Sequence, residues 1–246
     1  MREGTERLLS DLKRFIRFNT VTTKTNAPLA YAVGRMLASA GYRVTYQKIR
    51  RDGHLFVNVV AEKGPAGRGL LLCAHLDTVP PGPKECWTST RANPWGAISS
   101  KGKVFGLGAA DAKGVLLAMI EAGRKIQSSV LRRPLLIVGT FGEESGMGGA
   151  YALTHIWRGP KPLMTIVGEP TGLSVTYRHK GVGALVIELE TNLGLRRTRA
   201  VQKKNLRCRG RQGHSSRPWL GQNALDRAVR NLARQRKRKG LVVVSL

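Results

Sequence analysis

The sequence is poor in acidic residues, in cysteine and in long apolar runs. Its 246 residues include 15 Asp and Glu against 42 Lys and Arg, which gives a formal net charge of +27. No apolar run approaches the roughly 20 residues that a helix needs to cross a bilayer, which excludes a helical membrane span. Three cysteines, Cys73, Cys86 and Cys208, are too few and too scattered for a disulfide framework or a cysteine-based zinc site.

The N-terminal segment 1–18 lacks the uninterrupted apolar core of a secretory signal, because charged residues interrupt its amphipathic pattern. We therefore expect a cytoplasmic protein with no membrane partner.

The positive charge is concentrated near the C-terminus. Residues 191–246 hold 16 basic residues and one acidic residue, Asp226. A cationic segment of this kind could bind nucleic acid, but Trp219 is the only aromatic residue after Tyr177, so a base-stacking platform is absent. We favour a solvated basic surface and keep nucleic-acid binding as the alternative.

Hydrophobic periodicity predicts an α/β fold. Helical spacing is expected over about 5–18, 28–40, 111–126 and 149–157. Short β-type runs cover 42–49, 55–61, 69–76, 134–141 and 162–168. Because strands alternate with helices, we expect a mostly parallel sheet flanked by helices, with reactive residues at the carboxyl ends of the strands.

Acidic and histidine residues stand at those predicted strand ends and at one helix start. Each of them alone could be a helix cap or a solvated loop charge. Together they form a mixed nitrogen and oxygen donor set that suits a divalent zinc, cobalt or manganese ion. The residues are His75, Asp77, Asp111, Glu143, Glu144 and Glu169.

Five motifs in a fixed order resemble one enzyme family. They are H-L-D-T-V-P from His75, G-L-G-A-A-D-A-K-G through Asp111, G-E-E-S-G with Glu143 and Glu144, G-E-P-T with Glu169, and G-H-S-S-R-P with His214. This order is similar to that of the acetylornithine deacetylase/succinyl-diaminopimelate desuccinylase/carboxypeptidase family of two-metal amidohydrolases. The resemblance covers roughly residues 5–183 and 206–240, and it implies a zinc-exopeptidase-like fold with an α+β lid that also forms a dimer interface.

The resemblance implies a metal-ligand set. His75 and Glu169 would be terminal ligands of one ion, Asp111 would bridge two ions, and Glu144 would bind the second. The two divalent ions would be zinc or cobalt. The peptide bond that follows the bridging aspartate, Asp111–Ala112, would be cis.

Three further roles follow from the same resemblance. Asp77 would orient His75, and Glu143 would be the general base. His214 would lie in the lid and stabilise the oxyanion in the active site of a partner subunit, so a homodimer through the lid is implied.

The sequence departs from the family pattern in its last quarter. No histidine follows His214, although the family requires one near its C-terminus, so the second metal site would be incomplete. We expect residues 1–181 to be the N-terminal part of the catalytic domain and 182–246 to be a partial lid, with a basic insertion near 191–206. This shortened pattern predicts impaired activity.

Two functions are therefore considered. The first is a metal-dependent hydrolase of an amide bond in a small N-acyl amino acid or dipeptide. The alternative is a non-catalytic basic binding protein that retains the fold and contacts nucleic acid.

Overall fold

A computed structural model describes residues 2–172 and 174–175, together with the backbone of two short strands at 186–189 and 242–245. The chain divides into two units, Met1–Leu173 and Ser174–Leu246, and each is considered by itself. The predicted domain boundary at 181/182, the basic segment 191–206 and His214 lie outside the described residues.

The described residues form four α-helices close to the predicted positions. Their bounds are Arg2–Arg17 (α1), Ala27–Ser39 (α2), Lys113–Arg124 (α3) and Gly148–Ile156 (α4). Helix α3 begins two residues later than predicted, so that Asp111 precedes the helix. Among the described helices, none has both the length and the hydrophobicity needed to cross a membrane.

The first unit contains a five-stranded sheet and a small hairpin. The sheet has the order β1-β2-β6-β3-β7. Its strands are Arg43–Arg51 (β1), His54–Lys63 (β2), Leu70–His75 (β3), Leu135–Thr140 (β6) and Met164–Val167 (β7), and the hairpin pairs Ile98–Ser100 (β4) with Lys103–Phe105 (β5). In the second unit, Val186–Leu189 (β8) pairs antiparallel with Val242–Ser245 (β9).

The main sheet is mixed, whereas a mostly parallel sheet was expected. Strand β3 runs parallel to both β6 and β7, but β2 is antiparallel to β1 and to β6. Strands β1 and β2 are joined by only two residues, Asp52 and Gly53, whose φ angles are 51° and 74°. A two-residue turn with positive φ at both positions joins antiparallel strands, because a parallel connection needs a long crossover.

Helices cover both faces of this sheet, as predicted. Phe15 of α1, Leu29 of α2 and Leu117 of α3 share one buried hydrophobic cluster with Val57 of β2. Side chains alternate between the two faces along a strand, so Asn58, which follows Val57 in β2, faces the other side of the sheet. There its side chain donates a hydrogen bond to the Gly149 carbonyl of α4. The fold class is therefore confirmed as an α/β sheet flanked by helices.

Candidate metal centre

The predicted site residues follow the carboxyl ends of the three parallel strands. His75 at the end of β3 is in register with Thr140 at the end of β6, and Cys73 is in register with Val167 of β7. Asp77, the pair Glu143–Glu144 and Glu169 come directly after these strands in the sequence. Because the carboxyl ends of parallel strands meet at one edge, these loops share that edge of the sheet.

Three of the predicted ligands lie together at this edge. The His75 Nε2 atom is 2.9 Å from Asp111 Oδ1. Ligand atoms of His75, Asp111 and Glu144 all lie within 4.8 Å of one another, and no other set of three metal-ligating residues in the described part of the chain meets this distance. The imidazole is buried, with only 3% of His75 exposed, while Asp111 and Glu144 are half-buried.

Asp111 is carried by the glycine-rich turn that precedes α3. Gly108 has a φ of 81°, and a Cβ there would lie 2.9 Å from side-chain atoms of both Lys113 and Thr78, so only glycine fits this turn without strain. The Lys113 amide donates a hydrogen bond to the Gly108 carbonyl. The Asp111–Ala112 peptide bond is cis, as the motif resemblance implied.

The buried carboxylate of Asp77 binds the loop that carries both glutamates. Only 2% of Asp77 is exposed, and its two oxygens accept hydrogen bonds from the backbone amides of Glu143 and Glu144, each at 3.1 Å. Its Oδ1 atom is 3.7 Å from His75 Nδ1, and that nitrogen lies 3.0 Å from the backbone carbonyl of Asp77 itself. The expected role of Asp77 in orienting His75 stays a prediction. The structure shows in addition that Asp77 binds the loop that carries Glu143 and Glu144.

The pKa values of this cluster reflect an excess of negative charge. Burial alone would lower the pKa of His75, but hydrogen bonds and charge from Asp111 and Asp77 raise it to about 11. The pKa of Glu144 is raised to about 7, first by burial and then by the carboxylates of Asp111, Glu143 and Asp77, against the opposing effect of His75. Burial opposes ionisation of Asp77, yet the nearby His75, the Thr22 side chain and the Glu143 amide keep its pKa below the usual value.

This donor set fits a divalent cation. Zinc binds histidine nitrogen and carboxylate oxygen at roughly 2.0–2.2 Å, so ligand atoms that share an ion lie within about 4.4 Å of one another. One imidazole and two carboxylates gathered within 4.8 Å need little movement to reach that geometry. A cation would also relieve the repulsion between Glu144 and Asp111, which favours the neutral form of Glu144 in the metal-free chain.

Glu169 is near the cluster but outside the three-residue group. It is exposed and follows β7, and the β3–β7 register, continued by two residues, sets it opposite His75. Burial, followed by the charge of Glu169, raises the pKa of Cys73 on β3 to about 11. The assignment of Glu169 as a ligand stays a prediction, and so does that of Glu143 as the base.

Two residues near the site were not singled out from the sequence. The Thr22 hydroxyl contacts Ser145 Oγ at 2.7 Å, and the Thr22 side chain helps to lower the pKa of Asp77. Lys113 is fully buried, its Nζ atom donates to the Phe18 carbonyl at 2.8 Å, and burial lowers its pKa to about 7. The lysine could have been noticed because it stands two residues after Asp111, whereas nothing in the sequence marks Thr22.

Solved structures with the same fold include human carnosine dipeptidase 1 and an M20 family metallo-carboxypeptidase, Sso-CP2, from Sulfolobus solfataricus. The first matches with a TM-score of 0.55 and 19% identity over 67% of this chain and 38% of that protein. The second matches with a TM-score of 0.53 and 22% identity over 64% of this chain and 36% of that protein. At these identities the comparison establishes the fold alone.

Two curated protein sequences have a higher identity to this chain than these solved structures do. An acetylornithine deacetylase of Proteus mirabilis (strain HI4320) is 34% identical over 208 residues, which cover 83% of this chain and 46% of that protein. Another of the same name, from Klebsiella pneumoniae (strain 342), is 30% identical over 203 residues, or 82% of this chain and 46% of that protein. The chain thus spans about half the length of these relatives.

The family suggested by the five motifs is confirmed by a direct match. Residues 71–244, more than half of the chain, match the sequence profile described as peptidase family M20/M25/M40. This segment includes the strand ends and loops that carry His75, Asp111 and Glu144. The chain belongs to peptidase family M20/M25/M40.

Proposed function

We propose that this chain carries the metal-binding part of a hydrolase that cleaves an amide bond in a small N-acyl amino acid or dipeptide. The observation that carries this proposal is the convergence of His75, Asp111 and Glu144 within 4.8 Å at the carboxyl edge of the sheet. The curated relatives are named for the removal of an acetyl group from ornithine, which supports an N-acyl amino acid as the substrate class.

The proposed cofactor is a pair of divalent ions, with zinc or cobalt as the metal. His75, Asp111, Glu144 and Glu169 would hold them, and the second of the two sites would be incomplete, as expected from the sequence. When bound, such ions polarise the scissile carbonyl and lower the pKa of a water molecule. The cluster suits such ions because the carboxylate of Asp111 faces the imidazole of His75, and both groups are common zinc ligands.

The residues around the ligands have separate proposed tasks. Glu143 takes a proton from the attacking water and delivers it to the leaving amine. Asp77 holds the backbone of the Glu143–Glu144 pair through its two carboxylate oxygens, which keeps the base and a ligand in a fixed relation. His214, in a lid formed by residues 182–246, stabilises the oxyanion of the substrate in a homodimer.

Metal binding by the full chain tests the ligand set. We expect the purified protein to bind about one to two zinc or cobalt ions, as in two-metal hydrolase sites, and Asp111→Ala and Glu144→Ala to remove this binding. Glu6→Ala is the matched control, because it deletes an exposed carboxylate on α1. Absence of bound metal in a folded wild-type protein would overturn the proposal.

Hydrolysis tests the reaction. With added zinc or cobalt, we expect the full chain to release ornithine from N-acetylornithine slowly, in line with the predicted impairment, and Glu143→Gln to abolish this release while its metal content is unchanged. Loss of metal together with activity in Glu143→Gln would assign Glu143 to the ligands instead of to proton transfer.

A further inference from the structure

Asn58 is a buried polar residue in an otherwise apolar stretch of β2. None of its surface is exposed, and its neighbours Val57 and Val59 belong to the hydrophobic cluster on the opposite face. A buried amide without partners is costly, so its hydrogen bonds define what it does. All three that the structure gives are directed at α4, the loop before it, or β1.

The side chain of Asn58 joins the two ends of the loop that carries the glutamate pair. Its Oδ1 atom accepts a hydrogen bond from the Phe141 amide at 3.0 Å, and its Nδ2 atom donates to the Gly149 carbonyl at 2.8 Å. The Gly149 amide also donates to the Phe141 carbonyl at 2.8 Å. Phe141 and Gly149 therefore form a closed neck, and Glu143 and Glu144 lie in the loop between them.

The chemistry of this neck requires an amide side chain. One oxygen acceptor must face Phe141 while an adjacent donor faces Gly149, a combination that neither a carboxylate nor an apolar side chain provides. The remaining Nδ2 hydrogen is accepted by Gln47 Oε1 at 2.7 Å, which fixes the orientation of the amide. At Gly149 a Cβ would lie 2.6 Å from Asn58 Oδ1, so the close approach depends on glycine.

We propose that Asn58 is a positioning residue that fixes the neck of the 141–149 loop and thereby holds Glu144 within reach of His75 and Asp111. Its consequence for metal binding rests on the proposed function. The loop is held from two sides, since Asp77 binds its interior amides and Asn58 binds its neck. A binding constellation must be held within roughly 0.5 Å, and groups that support ligands commonly change metal affinity by about 10–100-fold.

Asn26 provides a matched control. It is also buried, with 1% of its surface exposed, and its side chain likewise makes one accepted and one donated hydrogen bond to backbone, both at 2.8 Å and both to Val57. These bonds join the start of α2 to β2 and involve no residue of the 141–149 loop. Asn26→Ala and Asn58→Ala therefore remove similar groups from the fold, and only the second removes contacts with the loop.

Two measurements on the full chain test the proposal. In the metal-free protein, we expect Asn58→Ala to speed hydrogen exchange of the Phe141, Glu143 and Glu144 amides by about tenfold or more, with no such change in Asn26→Ala. In a titration with Co²⁺ followed by its visible absorption, Asn58→Ala should weaken binding by about 10–100-fold, and Asn26→Ala by less than about twofold.

The outcomes separate this proposal from the proposed function. Unchanged loop exchange in Asn58→Ala, or equal Co²⁺ affinities in the two variants, would overturn the positioning role even if the wild-type protein binds metal. Failure of the folded wild-type protein to bind Co²⁺ would overturn the proposed function, while the exchange measurement still decides whether Asn58 fixes the neck. If Asn58→Ala does not fold, Asn58→Asp decides, since it keeps the acceptor for Phe141 and loses the donor to Gly149.

Discussion

The replacement Asp77→Asn tests how the glutamate loop is held. The wild-type carboxylate accepts the amides of Glu143 and Glu144 with one oxygen each. An asparagine of the same shape has one oxygen, so its NH₂ group must face one of the two N–H donors. A hydrogen bond to a charged acceptor contributes about 1.5–3 kcal/mol, and a buried donor left unpaired adds to the loss, so we expect the free energy of unfolding to fall by about 2–4 kcal/mol at pH 7.

The pH dependence of this loss has a definite sign. The pKa of Asp77 is lower in the folded protein than in the unfolded chain, so its stabilisation is fully present above the unfolded pKa of about 3.9 and is lost as the pH falls through the folded pKa. Urea unfolding at a series of pH values should therefore show a constant difference between wild type and Asp77→Asn from pH 7 down to about 4, and a shrinking difference below that.

Asp52→Asn is the control for the chemical change itself. Asp52 lies in the β1–β2 turn, its side chain is 83% exposed, and its ion pair with Arg51 has a distance of 3.3 Å. Such an exposed pair contributes little, so the control should change the unfolding free energy by less than about 0.5 kcal/mol. Equal stabilities of wild type and Asp77→Asn at neutral pH would refute the view that the buried carboxylate holds the loop.

Three other outcomes follow from the same structure. The pKa values of His75 and Glu144 are raised to about 11 and about 7 in the metal-free chain, so these two side chains together hold about one and a half protons at pH 7. Metal binding at pH 7 should therefore release between one and two protons. Calorimetry in buffers of different ionisation enthalpy measures this release, and zero release would contradict the expectation. Gly149→Ala places a Cβ 2.4 Å from a backbone carbonyl and should destabilise the fold by about 1–3 kcal/mol, whereas Gly4→Ala, which meets nothing within 4 Å, should be neutral or stabilising in urea unfolding. Burial lowers the pKa of Lys113 to about 7, so the stability of wild type relative to Lys113→Met should rise from pH 7 to about 10.5, and a flat difference in urea unfolding would count against it.

The sequence predicted those parts of the fold that have strong local signals. The predicted helices and the apolar strands of the main sheet are present, with bounds shifted by a few residues. The hairpin of β4 and β5 was missed because each strand has three residues and neither has an apolar alternation. The mixed character of the sheet was not predicted, although the Asp52–Gly53 pair between β1 and β2 is a typical signal for a hairpin of antiparallel strands.

The candidate site was predictable because its residue types stand at strand ends. His75, Asp111 and Glu144, which are separated by long stretches of sequence, were predicted as ligands and lie within 4.8 Å of one another. The detailed contacts of Asp77 could not be predicted, because they depend on the register between β3 and β6. This register brings the Asp77 carboxylate, which follows β3, to the Glu143 amide, which follows β6. The position of Asn58 could have been noticed in the sequence, because it is the single polar residue in the apolar run 55–61.

In the proposed metal centre, we expect buried polar groups that do not contact the metal to keep the ligands together. Glu144 is brought to His75 by a loop whose interior amides bind Asp77 and whose neck binds Asn58, so the local stability of that loop would contribute to the proposed metal affinity. A ligand that binds only the folded state stabilises it by an amount set by its concentration relative to Kd, about 2.7 kcal/mol at a hundredfold excess over Kd. Asn26→Ala is expected to lower stability without changing the Kd for metal, whereas Asn58→Ala is expected to raise that Kd. At the same excess metal concentration, the metal should therefore restore more of the lost stability in Asn26→Ala than in Asn58→Ala.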